Sequence, residues 1–211
     1  FNLKDKIGST EFLGYEKDRS EGIVLSLIKK GNEVKEINEG DEAELITNQT
    51  PFYGESGGQI GDIGFISGSN SKFQVIDTQR KLGDLFVHQG KLIKGKIKIK
   101  DSVNLSIDSK RRTNIRAYHS ATHLLHEALR RILGKHVIQK GSFVGPDKLR
   151  FDFSHIKPID KDEIKKIEKY VNEMVKSKSE VRTRLMTPKE AVDNGALALF
   201  GEKYGDEVRV L

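Results

Sequence analysis

The chain has 211 residues, a formal net charge of +6 and no cysteine, with 36% hydrophobic and 32% charged residues. This length suits one large domain or two small ones, and the absence of cysteine excludes disulfides and thiolate metal sites. No apolar run approaches the roughly 20 residues of a membrane span, so we predict a soluble globular chain without a membrane partner. The positive charge fits a polyanionic partner, although the widely spread lysines fit solubility equally well.

The first half of the sequence predicts β structure. Short segments rich in Val, Ile and Phe are bounded by Gly, Asn or Asp, which is typical of the strands of a small antiparallel barrel. The clearest of these segments are Gly22–Ile28, Glu42–Thr47, Lys72–Thr78 and Leu85–Ile93. We therefore predict a β-barrel subdomain over residues 1–108.

A glycine-rich stretch, TPFYGESGGQIGDIG, runs from Thr50 to Gly64 within this half. Its Gly-Gly pair and acidic residues predict a loop. The residues alone favour a barrel corner, but they also allow a backbone surface that approaches a ligand closely.

The sequence changes character at Asp108-Ser109, where a helix is predicted to begin. Apolar residues then recur at intervals of three and four until Gly134 supplies a stop. The members of this apolar stripe are Tyr118, Ala121, Leu125, Leu129 and Ile132.

Three histidines, His119, His123 and His126, cluster within roughly 60° of one another at the edge of this helical stripe. Imidazoles at positions i and i+4 can both reach one zinc ion. Ser120 stands where the H-E-x-x-H metalloprotease pattern needs glutamate, so that class is excluded. Spacing alone leaves open whether the histidines bind metal or are structural, and the nearest further candidate ligands are Asp152 and His155.

The second half mixes helices and strands, which predicts an α+β layer over residues 109–211. Asp160 and Glu163 form a capping box for a second long helix, and Thr187-Pro188 begins a further helix. The predicted strands of this half are His136–Phe143, Leu149–Phe153 and Val181–Met186.

Three motifs together carry a resemblance to a known family: TPFYGESGGQIGDIG, HSATHLLHEALRRILGKHVIQKGSFVGPDKLRFDFSH and GALALFGEKYGDEVRVL. In this order and at this spacing they closely resemble the editing region of bacterial alanyl-tRNA synthetase. The resemblance covers nearly the whole chain. It implies an α+β fold in which a small antiparallel β-barrel is followed by an α+β editing core like that of alanyl- and threonyl-tRNA synthetases.

The resemblance implies that this region hydrolyses the ester of mischarged seryl- or glycyl-tRNA(Ala), at a zinc-dependent site distinct from that of aminoacylation. It implies His119 and His123 as two zinc ligands, while a Cys and a His of a C-G-G-T-H segment supply the other two. The sequence stops at Val210-Leu211, before that segment would arrive. We therefore expect zinc to be absent or weakly bound by these residues alone.

Other residues match family positions that line the editing pocket. The resemblance implies Thr122 and Gln139 as catalytic residues, and His126 as structural. Arg111, Arg112 and Arg116 are each either phosphate contacts or part of a solvated helix face. The implied substrate-binding residues are Ser142, Glu55, Ser56, Gly57, Gly58, Gln59 and Arg116.

The sequence begins without Met and shows no signal peptide, so we expect a piece of a longer cytoplasmic synthetase. Its expected partners are tRNA(Ala), the mischarged tRNAs and the remainder of the synthetase chain. ATP and magnesium would belong only to an absent aminoacylation domain. The alternatives are a free-standing trans-editing deacylase, a tRNA-binding module inactive in this form, and a purely structural piece.

Overall fold

The first half of the chain folds as β structure. The computed structural model describes residues 2–180, 182–196 and 206–210. The elements of the first half are α1 (Asn2–Ile7), β1 (Glu11–Phe12), β2 (Arg19–Lys29), β3 (Asn32–Val34), β4 (Glu36–Asn38), β5 (Glu42–Thr47), β6 (Gln49–Thr50), β7 (Gly64–Ser67), β8 (Lys72–Lys81), β9 (Leu85–Lys94), β10 (Lys96–Lys98) and β11 (Ser102–Ile107).

Six of these strands close an antiparallel barrel. They pair in the order β11-β7-β8-β9-β5-β2, and β2 pairs back onto β11 to complete the ring. Alternate residues of a strand point to opposite faces, as the pleat requires. The fully buried side chains of the core are Val24, Leu27, Ile37, Leu45, Phe52, Ile66, Phe73, Leu92, Ile97 and Leu105. The predicted antiparallel barrel is confirmed, and each predicted strand segment lies in or overlaps one of its strands.

A fully buried histidine, His88 on β9, lies inside the barrel. Its Nδ1 lies 2.8 Å from the carbonyl oxygen of Leu45, which can only accept, so Nδ1 carries the proton. Its Nε2 therefore accepts from the hydroxyl of Thr50 at 2.8 Å, and that hydroxyl in turn accepts from the backbone N–H of Phe52. Burial lowers the pKa of His88 to about 4.

Acid is expected to destabilise the barrel through His88. The unfolded chain protonates this histidine near its ordinary pKa of about 6.5, whereas the folded chain resists protonation down to a pKa of about 4. The contribution of neutral His88 to the free energy of unfolding is thus complete above pH 6.5. It is lost as the pH falls toward 4, by up to about 3 kcal/mol. Urea unfolding of the wild type and of His88→Gln across this range measures the effect. Parallel pH profiles for the two proteins would contradict it.

The second half begins with a long helix and then mixes helices with short strands. Its elements are α2 (Ser109–Leu133), β12 (Gln139–Val144), β13 (Leu149–Phe153), α3 (Lys161–Ser177), β14 (Arg184–Met186), α4 (Pro188–Asp193) and β15 (Val208–Val210). Strands β12 and β13 form one two-stranded sheet, and β14 pairs with β15 antiparallel in another. The predicted mixture of helices and strands is confirmed.

The chain divides into two compact units, one of residues 1–122 and 141–150 and the other of residues 123–140 and 151–211. Helix α2 runs from the first unit into the second, and β12 and β13 are likewise shared. The predicted division of the chain at residue 108 stays a prediction.

The second unit has its own apolar core between α2 and α3. Its buried members are Ala128, Leu129, Val137 and Ile167. The capping box of α3 is confirmed: Asp160 accepts from the backbone N–H of Glu163 at 2.8 Å, and the Glu163 carboxylate accepts from the N–H of Asp160 at 3.0 Å.

The strand predicted to begin at His136 begins three residues later, at Gln139. The intervening residues close the preceding helix instead. Gly134 has φ +121°, a value that favours glycine, and the N–H of Val137 donates to the Gly134 carbonyl at 3.2 Å. Helix closure therefore takes the residues that the apolar pattern alone assigned to a strand.

At the C-terminal end, the predicted strand Val181–Met186 is observed as Arg184–Met186. The predicted capping box of Thr187 and Glu190 is present at the start of α4. Residue 181, residues 197–205 and residue 211 lie outside the described residues, so most of the GALALFGEKYGDEVRVL motif does too. None of the helices that the structure describes is long and apolar enough to cross a membrane.

Candidate functional site

The glycine-rich loop is anchored to helix α2 by a buried ion pair between Asp62 and Arg112. The Arg112 guanidinium donates from Nε to both carboxylate oxygens of Asp62, at 3.0 and 2.9 Å, and from Nη2 to Oδ2. It also donates to the carbonyls of Gly14 and Pro51, at 2.8 and 2.9 Å. Asp62 in turn accepts from the N–H of Tyr53 at 2.7 Å. One arginine thereby fixes three segments of the first unit.

This pair corrects one prediction and leaves another in place. Arg112 is 6% exposed and donates to Asp62, Gly14 and Pro51, so both alternatives given for it, a phosphate contact and a solvated helix face, are wrong. Sequence periodicity counted it among exposed positions because its partner lies 50 residues away. Arg111 donates to the carbonyl of Gly61 at 2.8 Å. Arg116 is exposed, and its predicted phosphate contact stays a prediction.

A tight turn forms the centre of the loop. Ser56 and Gln59 exchange two backbone hydrogen bonds of 3.0 and 3.1 Å, and Gly57 and Gly58 lie between them with φ +57° and +82°. Two consecutive positive φ values are typical of the type I′ hairpin turn, which glycine adopts without strain. Glu55, before the turn, donates its N–H to the Thr78 carbonyl at 2.9 Å. The predicted loop thus has one defined backbone conformation.

The turn approaches the segment that carries Ser142. The N–H of Val144 donates to the Gly58 carbonyl at 2.8 Å, and the Ser142 hydroxyl donates to the Gly57 carbonyl at 3.3 Å. A Cβ atom at Gly58 would lie 2.5 Å from the backbone oxygen of Ser142. The structure therefore brings together three predicted substrate-binding residues, Gly57, Gly58 and Ser142.

Alanine at Gly58 is expected to damage the loop far more than alanine at its neighbour. Both glycines have positive φ, but a Cβ at Gly57 meets no atom within 4 Å. We expect Gly58→Ala to lower the free energy of unfolding by about 2 kcal/mol more than Gly57→Ala. Only the new Cβ at Gly58 collides with the backbone of Ser142, in addition to the strain of positive φ that both variants share. Urea unfolding compares the two variants, and hydrogen exchange of the Val144 amide reports the lost contact. Equal effects of both variants would contradict the close approach.

Gln59 links the loop to the histidine helix. Its side-chain oxygen lies 2.6 Å from Nδ1 of His119, which is half-buried on α2. Gln59 itself is only 5% exposed. The glycine-rich loop and the H-x-x-x-H helix, which the sequence separates by 60 residues, thus meet through a direct side-chain hydrogen bond.

Thr122, also on α2, is 6% exposed and donates its hydroxyl hydrogen to the Tyr118 carbonyl at 2.8 Å. A hydroxyl has one hydrogen and two lone pairs. Because its hydrogen is already donated to the helix backbone, the Thr122 hydroxyl can only accept a hydrogen bond from a further polar group.

The remaining predicted residues belong to the second unit. His123 lies one helical turn after His119 and is exposed, and Gln139 is half-buried at the start of β12. His126 packs on Phe151 with ring centroids 5.1 Å apart. Desolvation lowers the pKa of both His123 and His126, which favours their neutral imidazole forms.

The described residues form no complete metal site. Within the described ranges, no group of three or more His, Cys, Asp or Glu side chains is placed to hold a metal ion. His155, considered from the sequence as a further ligand, instead lies 2.8 Å from Nε2 of His136. The imidazoles of His119 and His123 are of the ligand type that zinc binds.

Comparison with known proteins supplies the family. A family model described as "tRNA synthetases class II (A)" matches residues 1–111, more than half of the chain. The chain belongs to the class II tRNA synthetase (A) family. It is similar over its whole length to proteins named alanine–tRNA ligase: 58% identical to that of Parvibaculum lavamentivorans, 56% to that of a Chelativorans species and 55% to that of Rhodopseudomonas palustris.

This class II tRNA synthetase chain spans about a quarter of the length of those relatives, 24% of each. Two of its contacts were not foreseen from the sequence, the Asp62–Arg112 pair and the Gln59–His119 hydrogen bond. The sequence does show an acidic residue in the loop and a run of arginines at the start of the motif helix. These residues alone do not indicate which of them pair.

Proposed function

We propose that this chain is the editing part of an alanine–tRNA ligase, which hydrolyses the ester of seryl- or glycyl-tRNA(Ala). The relatives named alanine–tRNA ligase support this proposal at 55–58% identity over the whole chain. The observation that carries it is the contact between Gln59 and His119, because it joins the two motifs on which the editing resemblance rests.

His119 and His123 would hold a zinc ion in this proposal. Zinc supplies Lewis-acid chemistry, polarising an ester carbonyl or lowering the pKa of a water. The two imidazoles fit as ligands, and the 211 residues contain no cysteine to complete a mixed set. A polypeptide of these residues alone is therefore proposed to bind zinc weakly, which equilibrium dialysis measures directly; tight one-to-one binding would defeat this part of the proposal.

Thr122 is proposed to select serine through its lone pairs. Its hydroxyl hydrogen already goes to the Tyr118 carbonyl, so it can only accept from a substrate. A seryl side chain offers an O–H donor, whereas an alanyl side chain offers none. Gln139, whose amide both donates and accepts, is proposed to act on the aminoacyl end, and Ser142 to line the pocket.

The tRNA is proposed to contact the basic surface of the chain. The net charge of +6 favours a polyanion, and Arg116 is an exposed candidate for a phosphate contact. Glu55 and Ser56, at the start of the turn, are proposed to lie near the substrate end. ATP and magnesium are proposed only for an aminoacylation domain of a longer cytoplasmic ligase, which would be the partner of this segment.

Hydrolysis of preformed seryl-tRNA(Ala) and alanyl-tRNA(Ala) tests the proposal. We expect the full-length ligase to release serine much faster than alanine, because only the seryl ester offers Thr122 a side-chain donor. The purified 211-residue chain, assayed with and without zinc, separates an active editing unit from a module that binds tRNA without hydrolysis. Affinity for tRNA no greater than that of any basic protein would favour a structural piece.

A further inference from the structure

We propose that Gln59 is a positioning residue that holds His119 in the tautomer protonated at Nδ1. The tautomer is inferred from the hydrogen bond alone. Its importance for a metal-ligand role of His119 rests on the proposed function. This role replaces the direct substrate contact that the sequence predicted for Gln59.

The hydrogen bond between the two side chains fixes the location of the proton. Oε1 of Gln59 is a carbonyl oxygen and can only accept, so Nδ1 of His119, 2.6 Å away, is the donor. In the neutral form of the ring, which has one N–H, Nε2 then carries the lone pair. His88 of the same unit shows the same arrangement, since its Nδ1 donates to the carbonyl oxygen of Leu45 at 2.8 Å.

The amide of Gln59 is held in place before it meets the histidine. Its backbone closes the type I′ turn through hydrogen bonds to Ser56 in both directions. The next residue, Ile60, donates its N–H to the Val144 carbonyl at 3.2 Å, so the chain is fixed on both sides of Gln59. At 5% exposure, its side chain has little contact with solvent and little room to reorient. A fixed amide in a buried position can select one tautomer, whereas a mobile one could not.

The consequence concerns which nitrogen of His119 carries the proton and which carries the lone pair. A histidine ligand binds metal through the ring nitrogen that has no proton, and a hydrogen bond from the other nitrogen fixes the ring and raises its basicity. Gln59 supplies that hydrogen bond from the glycine-rich loop. The turn that precedes it, Ser56–Gly57–Gly58, thereby acts on the helix through a single amide rather than through the substrate.

Long-range ¹H–¹⁵N correlation spectra of histidine-labelled, metal-free chain test the proposal directly, because the two ring nitrogens differ in ¹⁵N shift according to which is protonated. We expect the wild type to show His119 protonated at Nδ1. Gln59→Met removes the acceptor at similar volume and should move the ring toward the Nε2–H form that free imidazole prefers. Gln59→Glu retains an oxygen acceptor and should keep the Nδ1–H form. Gln74→Met, the same change at an exposed position of β8, should leave the spectrum unchanged.

The wild-type spectrum tests the proposal even if a variant fails to fold. A wild-type ring protonated at Nε2 would overturn the proposal, because it would mean that the amide nitrogen of Gln59 faces the histidine. An Nδ1–H form unchanged by Gln59→Met would overturn it as well. A tautomer that depends on Gln59 in a ligase that does not hydrolyse seryl-tRNA would remove the proposed function and leave this assignment intact.

Discussion

Replacing Arg112 with methionine is expected to lower the free energy of unfolding by about 3–5 kcal/mol, because it leaves the Asp62 carboxylate buried without its charge partner. The same change also strips donors from the carbonyls of Gly14 and Pro51. Since Asp62 lies three residues after Gln59, the anchored end of the loop should loosen along with the contact to His119.

Arg111 provides the matched control for this experiment. It is the preceding residue on the same helix, half-buried, with a hydrogen bond of 2.8 Å to the Gly61 carbonyl. Arg111→Met should therefore cost no more than about 1 kcal/mol. The double variant Asp62→Leu/Arg112→Met should recover the part of the loss that comes from the unpaired carboxylate, but not the part that comes from the carbonyls of Gly14 and Pro51. Urea unfolding of the four proteins measures all of this, and equal losses for Arg112→Met and Arg111→Met would contradict the anchoring role.

The barrel could be predicted because its signals are local. Strand segments such as Lys72–Thr78 are short, rich in Val, Ile and Phe, and bounded by Gly, Asn or Asp. The helix carrying His119 was equally predictable from its apolar stripe. Boundaries were less so: the strand expected at His136 begins at Gln139, because Gly134 and Val137 first close the helix.

The site was predictable only in its ingredients. Spacing placed His119 and Thr122 on one helix, and glycine content predicted the turn at Gly57 and Gly58. No local rule pairs Gln59 with a histidine 60 residues later, or Asp62 with an arginine 50 residues later. Such pairs depend on the closed barrel bringing its loop against the start of α2, which is a property of the tertiary fold. The resemblance to synthetase editing regions pointed to the loop, but it did not specify these contacts.

Replacing His119 with alanine is expected to reduce hydrolysis of seryl-tRNA(Ala) by the full-length ligase more than about 100-fold, since loss of a ligand should exceed the effect of losing the residue that orients it. Alanine also leaves the Gln59 amide without the ring that it holds. Aminoacylation with alanine should be unaffected, because the proposed editing site is separate from that of aminoacylation. His136→Ala, the same change at an exposed histidine of the second unit, is the control and should hydrolyse seryl-tRNA at the wild-type rate.

The editing role is tested most directly by single-turnover hydrolysis of preformed seryl- and alanyl-tRNA(Ala) by these three ligases. We predict that the wild type and His136→Ala release serine far faster than alanine, and that His119→Ala loses this difference while still aminoacylating tRNA. Discrimination between the two esters that is unchanged in His119→Ala would contradict the account.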